Sequence, residues 1–180
     1  MNQQQTIIAL INADQLRMQA LRAVRSLALP DWLIAAGFVR NMVWGHLFEH
    51  TIALNDIDVI YFCTQDTTRA RDNRLELRLK ELVPDLPWSV NNQARMHLKH
   101  GDSAYRNSQD AMRHWPEKQT CIGVKLDNQN QLRISHCFDL GLQFSGQIDH
   151  NPTRTIDVFN ARIASKGWLT IWPRLSVKVS

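Results

Sequence analysis

Asn55-Asp56-Ile57-Asp58-Val59-Ile60-Tyr61-Phe62 is the stretch on which the fold turns. Its β-branched and aromatic residues predict a strand over Asp56 to Cys63, entered through the turn residue Asn55. Side chains alternate along a strand, so Asp56 and Asp58 point to one face. Two adjacent carboxylates repel, and are tolerated where a divalent cation, a shared proton or open water compensates. Upstream lies Ala35-Ala36-Gly37-Phe38-Val39-Arg40-Asn41. The apolar segment 31–36 reads as a strand or a helix end running into a glycine turn. A helix is predicted over Phe38–Phe48, apolar on most sides and therefore buried.

Working outward, Ala13, Leu16, Ala20, Val24 and Leu27 recur at helical spacing, which predicts one N-terminal helix over about 5–27 with Arg17, Arg22 and Arg25 facing out. Pro30 stops it. A charged helix is predicted over Thr67–Val83, with Leu75, Leu79, Leu82 and Val83 as its buried stripe. Trp88 to Met96 reads as a strand, followed by a loop through Gly101. Ser108 reads as the cap of a short helix ended by Pro116. Thr120–Leu126 and Leu132–His136 read as a hairpin around Asp127-Asn128-Gln129-Asn130. A last helix is predicted over about Val158–Trp168. The order predicts an α+β fold: a small mixed β-sheet flanked by helices, in a single domain over 1–180 with a C-terminal appendage from about 138 to 180.

The 180 residues, 44% of them hydrophobic, suffice for one real core. The formal net charge of +4 fits a phosphate-bearing ligand, and equally an ordinary soluble protein, because the positive residues are scattered. Nucleic acid is compatible with it but not indicated. Cys63, Cys121 and Cys137 form no Cys-x-x-Cys pair, no signal peptide is visible, and no apolar run approaches a membrane helix. The expected setting is the reduced cytoplasm, without a membrane partner.

Each candidate residue has a chemical and a structural reading. Asp56 and Asp58 either bind magnesium, a hard cation that takes carboxylate, phosphate and water oxygens, or are solvated acids on an edge strand. Gly37 either lets backbone N–H groups approach a phosphate at a helix start or is a turn glycine with positive φ. Arg40 either pairs with a phosphate oxygen or balances nearby acids. Trp44 shares its helix face by i,i+4 spacing and is either core or a stacking platform. Asn91, Gln93, Arg95 and His97 would share one face of a strand, with Asn92 on the other. They would bind substrate or brace the aspartates, or fix a loop through a buried polar network. His46 and His50 lack a third zinc ligand. No serine-hydrolase elbow, Walker loop or dinucleotide fingerprint is present.

The glycine turn, helix and Asp-Ile-Asp strand together resemble the core of the DNA polymerase β-like nucleotidyltransferase fold. Trp88 through His97, with Gly37-x-x-Arg40-Asn41-x-x-Trp44, Trp115-Pro116-Glu117, Thr120 and Lys166-Gly167-Trp168, resembles a bacterial branch of that superfamily with an Asn-Gln-Ala-Arg-Met-His motif. The resemblance implies a nucleotidyltransferase acting on a nucleoside triphosphate and an unidentified acceptor. Asp56 and Asp58 would be the catalytic pair and hold Mg2+, with Mn2+ as an alternative. Gly37, Phe38, Arg40 and Asn41 would bind nucleotide. Trp44, Asn92, Gln93, Arg95 and His97 would contact substrate or support the site. The alternative is a catalytically degenerate member that binds nucleotide or a protein. Gly37-Phe38 replaces the usual Gly-Gly or Gly-Ser, and the spacing from Gly37 to Asp56 exceeds the common one. The strand beside the pair offers Ser89, Asn91 and Asn92 where a third carboxylate belongs. Asp66 and Asp139 are the substitutes available.

Overall fold

In the computed structural model, which describes residues 2–179, two helices open the chain, α1 (Gln3–Ala13) and α2 (Gln15–Ser26). The single helix expected over 5–27 is interrupted at Asp14, whose backbone is extended (φ −97°, ψ 103°). The Asp14 carboxylate accepts the Arg17 N–H at 3.0 Å and caps α2. A cap of this kind satisfies an otherwise orphaned donor and does not disturb the apolar period, so periodicity hides it. Arg17, expected to face out, is buried, and its Nε donates to the Phe38 carbonyl at 2.9 Å.

The chain then forms β1 (Leu33–Ala35), α3 (Gly37–Phe48), β2 (Ile57–Tyr61), α4 (Arg69–Leu82), β3 (Trp88–Asn92), α5 (Met96–His100) and α6 (Ser108–Met112). The hairpin β4 (Ile122–Leu126) and β5 (Leu132–His136) follows, then β6 (Gln147–Asp149), α7 (Ile156–Lys166), α8 (Trp168–Ile171) and β7 (Ser176–Lys178). One expected burial and three expected boundaries differ for local reasons. Leu82 is 42% exposed, so the buried stripe of α4 is carried by Leu79 and Val83 with help from Leu75. The strand expected over Trp88–Met96 ends at Asn92, and Gln93–Arg95 turn as a short 3-10 helix into α5. The α6 cap is Asn107, not Ser108, with the Asn107 side chain accepting from Asp110 N–H at 2.7 Å. Gly167 takes φ +64° and separates α7 from α8, where a continuous helix to Trp168 was expected.

The main sheet has the strand order β3-β2-β1-β4-β5. β2 and β3 run parallel, and the other neighbours are antiparallel. The register sets Asp58 between Ala35 on β1 and Ser89 on β3. Ile57, Val59 and Tyr61 turn to the main core, beneath α1 to α4. Ile60 turns to the opposite face with Leu33, Ala35 and Met112. Period-2 alternation therefore divides β2 into a fully buried row and a row that carries Asp58. A second core gathers Trp44, Ile148, Phe159, Trp168, Trp172 and Leu175, so residues 147–175 pack on the outer side of α3. No helix among the described residues is long and apolar enough to cross a membrane.

The turn from β1 into α3 is tighter than its glycine suggests. The positive φ falls on Ala36 (φ 57°, ψ −119°), and Gly37 is the first helical residue with an ordinary φ. Ala36 N–H bonds the Ile122 carbonyl at 2.9 Å, and its own carbonyl accepts from Val39 and Arg40. A non-glycine residue in this conformation costs roughly 1–3 kcal/mol. Ala36→Gly relieves that cost against a smaller loss of unfolded-state restriction. It is expected to stabilise the chain by about 1 kcal/mol, raising the melting temperature by roughly 2–4 °C in a thermal melt.

Candidate active site

Asp56, on the residue before β2, and Asp58, within it, line one open cleft of about 810 Å3. Ile60 continues the row along the strand, and Asn91 of β3 and Gln93 of the turn that follows it also line the cleft. Thr120, Arg162, Lys99, His100, His114 and Arg154 also line it. The volume lies within the range of small-molecule sites. A narrower extension beneath it is lined by Gly37, Arg40, Asn41, Arg162, Lys166 and Trp168, and shares the two aspartates.

The acids are held in a costly state. Burial pushes the Asp58 carboxyl up to about 6, the Asp56 charge adds to the shift, and Lys166, Arg40 and Arg162 oppose it. Burial also raises Asp56, against Lys166 and Arg40. β3 brings no third carboxylate to the pair. Ser89 is the register partner of Asp58 and Asn91 that of Ile60, and Asn91 donates to the Ser89 hydroxyl at 3.1 Å. The two substitutes lie elsewhere. Asp66 is bonded to Thr68 at 2.6 Å, and Asp139 caps a turn through Gly141 N–H at 2.7 Å. Among the described residues no group of three or more His, Cys, Asp or Glu side chains forms a metal cage.

α3 meets the site with its first turn. No side chain caps it, so the first N–H groups of the helix are open on the cleft side at Gly37. Phe38 contributes no side chain here: its ring is fully buried in the main core, against the expectation of a nucleotide contact. The Asn41 side chain accepts from Arg40 Nε at 3.2 Å and Nη2 at 3.0 Å. Arg40 Nη1 donates to the Thr120 hydroxyl at 2.7 Å. Burial lowers the Arg40 pKa to about 10, opposed first by the charge of Glu117. The guanidinium lies 4.3 Å from the Trp168 ring centroid and 5.2 Å from that of Trp44. Trp44 is fully buried and packs edge-on against Trp168 and Trp172, so it supports Arg40 from the core and does not face the cleft.

Arg162 and Lys166 were not singled out as cleft residues by their sequence. They are four apart on α7 and so share a face, a spacing that was legible. Their proximity to Asp56 was not, because more than 100 residues intervene. Glu117, fully buried, accepts from Arg162 Nε at 2.7 Å and from the Thr120 hydroxyl at 2.8 Å. At the outer end, Arg154 forks onto Asp102, with Nη1 to Oδ1 at 2.8 Å and Nη2 to Oδ2 at 2.5 Å. That pairing holds the Asp102 carboxyl far below the usual range.

The Asn91–His97 run is divided by the turn that ends β3, so the shared strand face does not exist. Asn91 and Gln93 line the cleft. Asn92 is fully buried: its side chain accepts from Cys63 N–H at 3.0 Å and Ala94 N–H at 3.1 Å, and donates to the Cys63 carbonyl at 2.7 Å. Arg95 pairs with the buried Asp72, which also accepts from the Tyr61 hydroxyl at 2.7 Å. His97 packs edge-on to Tyr105 at 6.0 Å. Asn92, Arg95 and His97 therefore fasten the loops behind the cleft.

A family model described as nucleotidyltransferase matches residues 22–177. The chain belongs to the nucleotidyltransferase family. Its fold agrees. A solved structure described as revealing a CCA-adding enzyme head domain is 28% identical with a TM-score of 0.87, covering 98% of this chain and 96% of that one. A chain of a tRNA-processing enzyme complex is 10% identical with a TM-score of 0.56, covering 88% of this chain and 43% of that one. A CCA-adding enzyme in complex with CTP is 14% identical with a TM-score of 0.52, covering 97% of this chain and 49% of that one. The last two likenesses are of fold alone. No curated protein matches the chain.

Two expectations follow from the geometry. Removing the Arg95 charge with Arg95→Leu leaves Asp72 buried and unpaired, which costs roughly 3 kcal/mol or more. Urea denaturation is expected to show that loss, and Asp72→Asn in the same chain to recover part of it. Asp58, in turn, titrates above its unfolded value. The native state therefore holds its proton more tightly, and the charged carboxylate opposes folding increasingly as pH rises from about 4 to about 6. Asp58→Asn is expected to raise the melting temperature of the metal-free chain at pH 7.5 and to have little effect at pH 4. The gain is about 1 kcal/mol once solvent screening of this half-buried group is allowed for.

Proposed function

We propose that the chain transfers a nucleotidyl group from a magnesium-bound nucleoside triphosphate to a hydroxyl-bearing acceptor. The observation that carries this reading is the pairing of Asp56 and Asp58 on one sheet face, inside a cleft that cations border from α3 and α7. The donor set suits magnesium. It offers hard carboxylate oxygens, too few to cage an ion alone, and magnesium usually keeps its waters and takes one or two carboxylates plus substrate phosphates. Asp56 and Asp58 would hold it. Bound there, it would neutralise charge on the reacting phosphoryl group. The neighbouring fold that is described with CTP supports a nucleoside triphosphate as donor.

The chain's own residues account for binding and orientation. The open first turn of α3 at Gly37 presents backbone N–H donors to a phosphate. Arg40 is held by bonds from Nε and Nη2 to Asn41 and from Nη1 to Thr120, and keeps one further N–H on each terminal nitrogen with which it would meet a phosphate. Asn91 and Gln93 line the same cleft, and can orient an acceptor hydroxyl but cannot take its proton.

A second reading rests on that last point. With Ser89 and Asn91 beside the pair, the chain binds metal and nucleotide without turning them over. Two measurements separate the readings. Isothermal titration of nucleoside triphosphates with and without Mg2+ is expected to show metal-dependent binding that Asp58→Ala abolishes. Binding that ignores the metal would sink both. Transfer of label from an α-32P nucleotide into extract components by the wild type, and not by Asp58→Ala, is expected if the chain is an enzyme.

A further inference from the structure

The two aspartates stand where the site divides. Gly37, Arg40, Asn41 and Trp168 line only the narrow extension, whereas Lys99, His100, His114 and Arg154 line only the wide cleft. Asp56 and Asp58 border both. A nucleotide held at Gly37 and Arg40 leaves the wide cleft for the acceptor. Its cationic lining comes from three separate segments: Lys99 and His100 from α5, His114 from the turn after α6, and Arg154 from the loop before α7.

Apart from the aspartate pair, Asp102 is the one acid that lines this cleft among the described residues, and it is already spent. It accepts from both terminal nitrogens of Arg154 and from the Tyr105 hydroxyl. Lys99, His100 and His114 are left with no hydrogen bond or ion pair from their side chains among the described residues. His114 is nonetheless held in place. Its ring lies 5.2 Å from that of the buried Tyr105, with the planes 31° apart. Burial lowers the His100 pKa, the Arg154 charge adds to the shift, and Asp102 opposes it less than Arg154 and Lys99 promote it. The local field is therefore positive, and an anion would complete it. Two imidazoles and an ammonium, with the Thr153 side chain bordering the same space, offer the N–H and O–H donors that a tetrahedral oxyanion takes up. A polynucleotide would need a basic track running beyond the cleft, and the positive residues of this chain are scattered.

We infer that Lys99, His100 and His114 form a separate anion-binding subsite in the wide cleft, which selects an acceptor that carries a phosphomonoester group besides its reacting hydroxyl. That the occupant is the acceptor rests on the proposed function; the subsite itself does not. None of its three residues is an acid, so it needs no metal. In the metal-free chain the ionised aspartates repel an anion, and binding at the three residues is then read apart from any nucleotide site.

The test uses glycerol phosphate, which joins a phosphomonoester to free hydroxyls, with glycerol and an oligonucleotide lacking terminal phosphates as controls. Each is titrated into the full chain in EDTA and followed by the proton–carbon NMR signals of the imidazoles. Glycerol phosphate is expected to shift the His100 and His114 signals, and glycerol is not, while His46 and His50, which do not line the cleft, stay fixed. Lys99→Met is expected to weaken binding about tenfold, the loss of one charge-assisted contact. It is expected to leave the melting temperature unchanged, because the side chain is exposed. Lys99→Arg is expected to restore most of the affinity, and Lys125→Met, outside the cleft, to leave it unchanged. Silent His100 and His114 signals, equal binding of glycerol, tighter binding of the oligonucleotide, or equal weakening by Lys99→Met and Lys125→Met would overturn the subsite. In the labelling assay, treating the extract with a phosphatase that is removed before the nucleotide is added is expected to abolish transfer. Transfer that survives would overturn the phosphomonoester acceptor. Glycerol phosphate binding without magnesium-dependent nucleotide binding would support the subsite and sink the nucleotidyl reading. Nucleotide binding in a chain that ignores glycerol phosphate would overturn the subsite alone.

Discussion

Glu117 is the constraint on which the cationic side of the cleft depends. Its carboxylate is fully buried and takes bonds from Arg162 of α7 and from Thr120, whose hydroxyl in turn accepts from Arg40 of α3. A buried carboxylate is tolerated only when paired and hydrogen-bonded. The pairing therefore ties α7 to α3 through the segment that precedes β4. The second core does the same in apolar terms: Trp44 beneath Arg40 meets Trp168 and Trp172 from the C-terminal segment. Charge and packing agree on one position for α7, and that position sets Lys166 beside Asp56 and Asp58.

The opposite wall is made by strand pairing. Three adjacent strands fix Asp58 between Ala35 and Ser89. Ala35 is buried with Ile60 and Met112 beside the cleft, and the uncharged Ser89 and Asn91 on β3 bring no third acid to the two aspartates. The site stores strain in two forms. One is the φ of Ala36, at the turn that aims the α3 amides; the other is the burial of Asp58 on β2, with the charge of Asp56 beside it. Both work against folding, and both fall on residues that border the cleft. Such costs persist where the surrounding structure over-determines them, and they cluster at ligand sites.

The Asn91–His97 run shows why a dense polar motif resists reading from sequence alone. Strand alternation would align Asn91, Gln93, Arg95 and His97, yet the chain leaves the strand at Asn92. The Asn92 side chain causes this, by accepting from Ala94 N–H and starting a turn. Two of the residues then reach the cleft, while Arg95 neutralises Asp72 behind it. A side chain that bonds its own following backbone ends a strand without altering the local hydropathy pattern.

By itself the sequence determined what is local: the helix at α3, the strand at β2, the β4–β5 hairpin, and the common face of Asp56 and Asp58, since period-2 alternation is a property of the backbone. Family membership was legible too, because the motif residues are spaced along one chain. Tertiary structure alone decided which cations face the acids, that Phe38 and Trp44 turn into the cores, and that Arg17 and Arg40 are buried. Those outcomes depend on contacts between residues far apart in sequence. Their energies come from desolvation and pairing, which exist only once both partners are brought out of water.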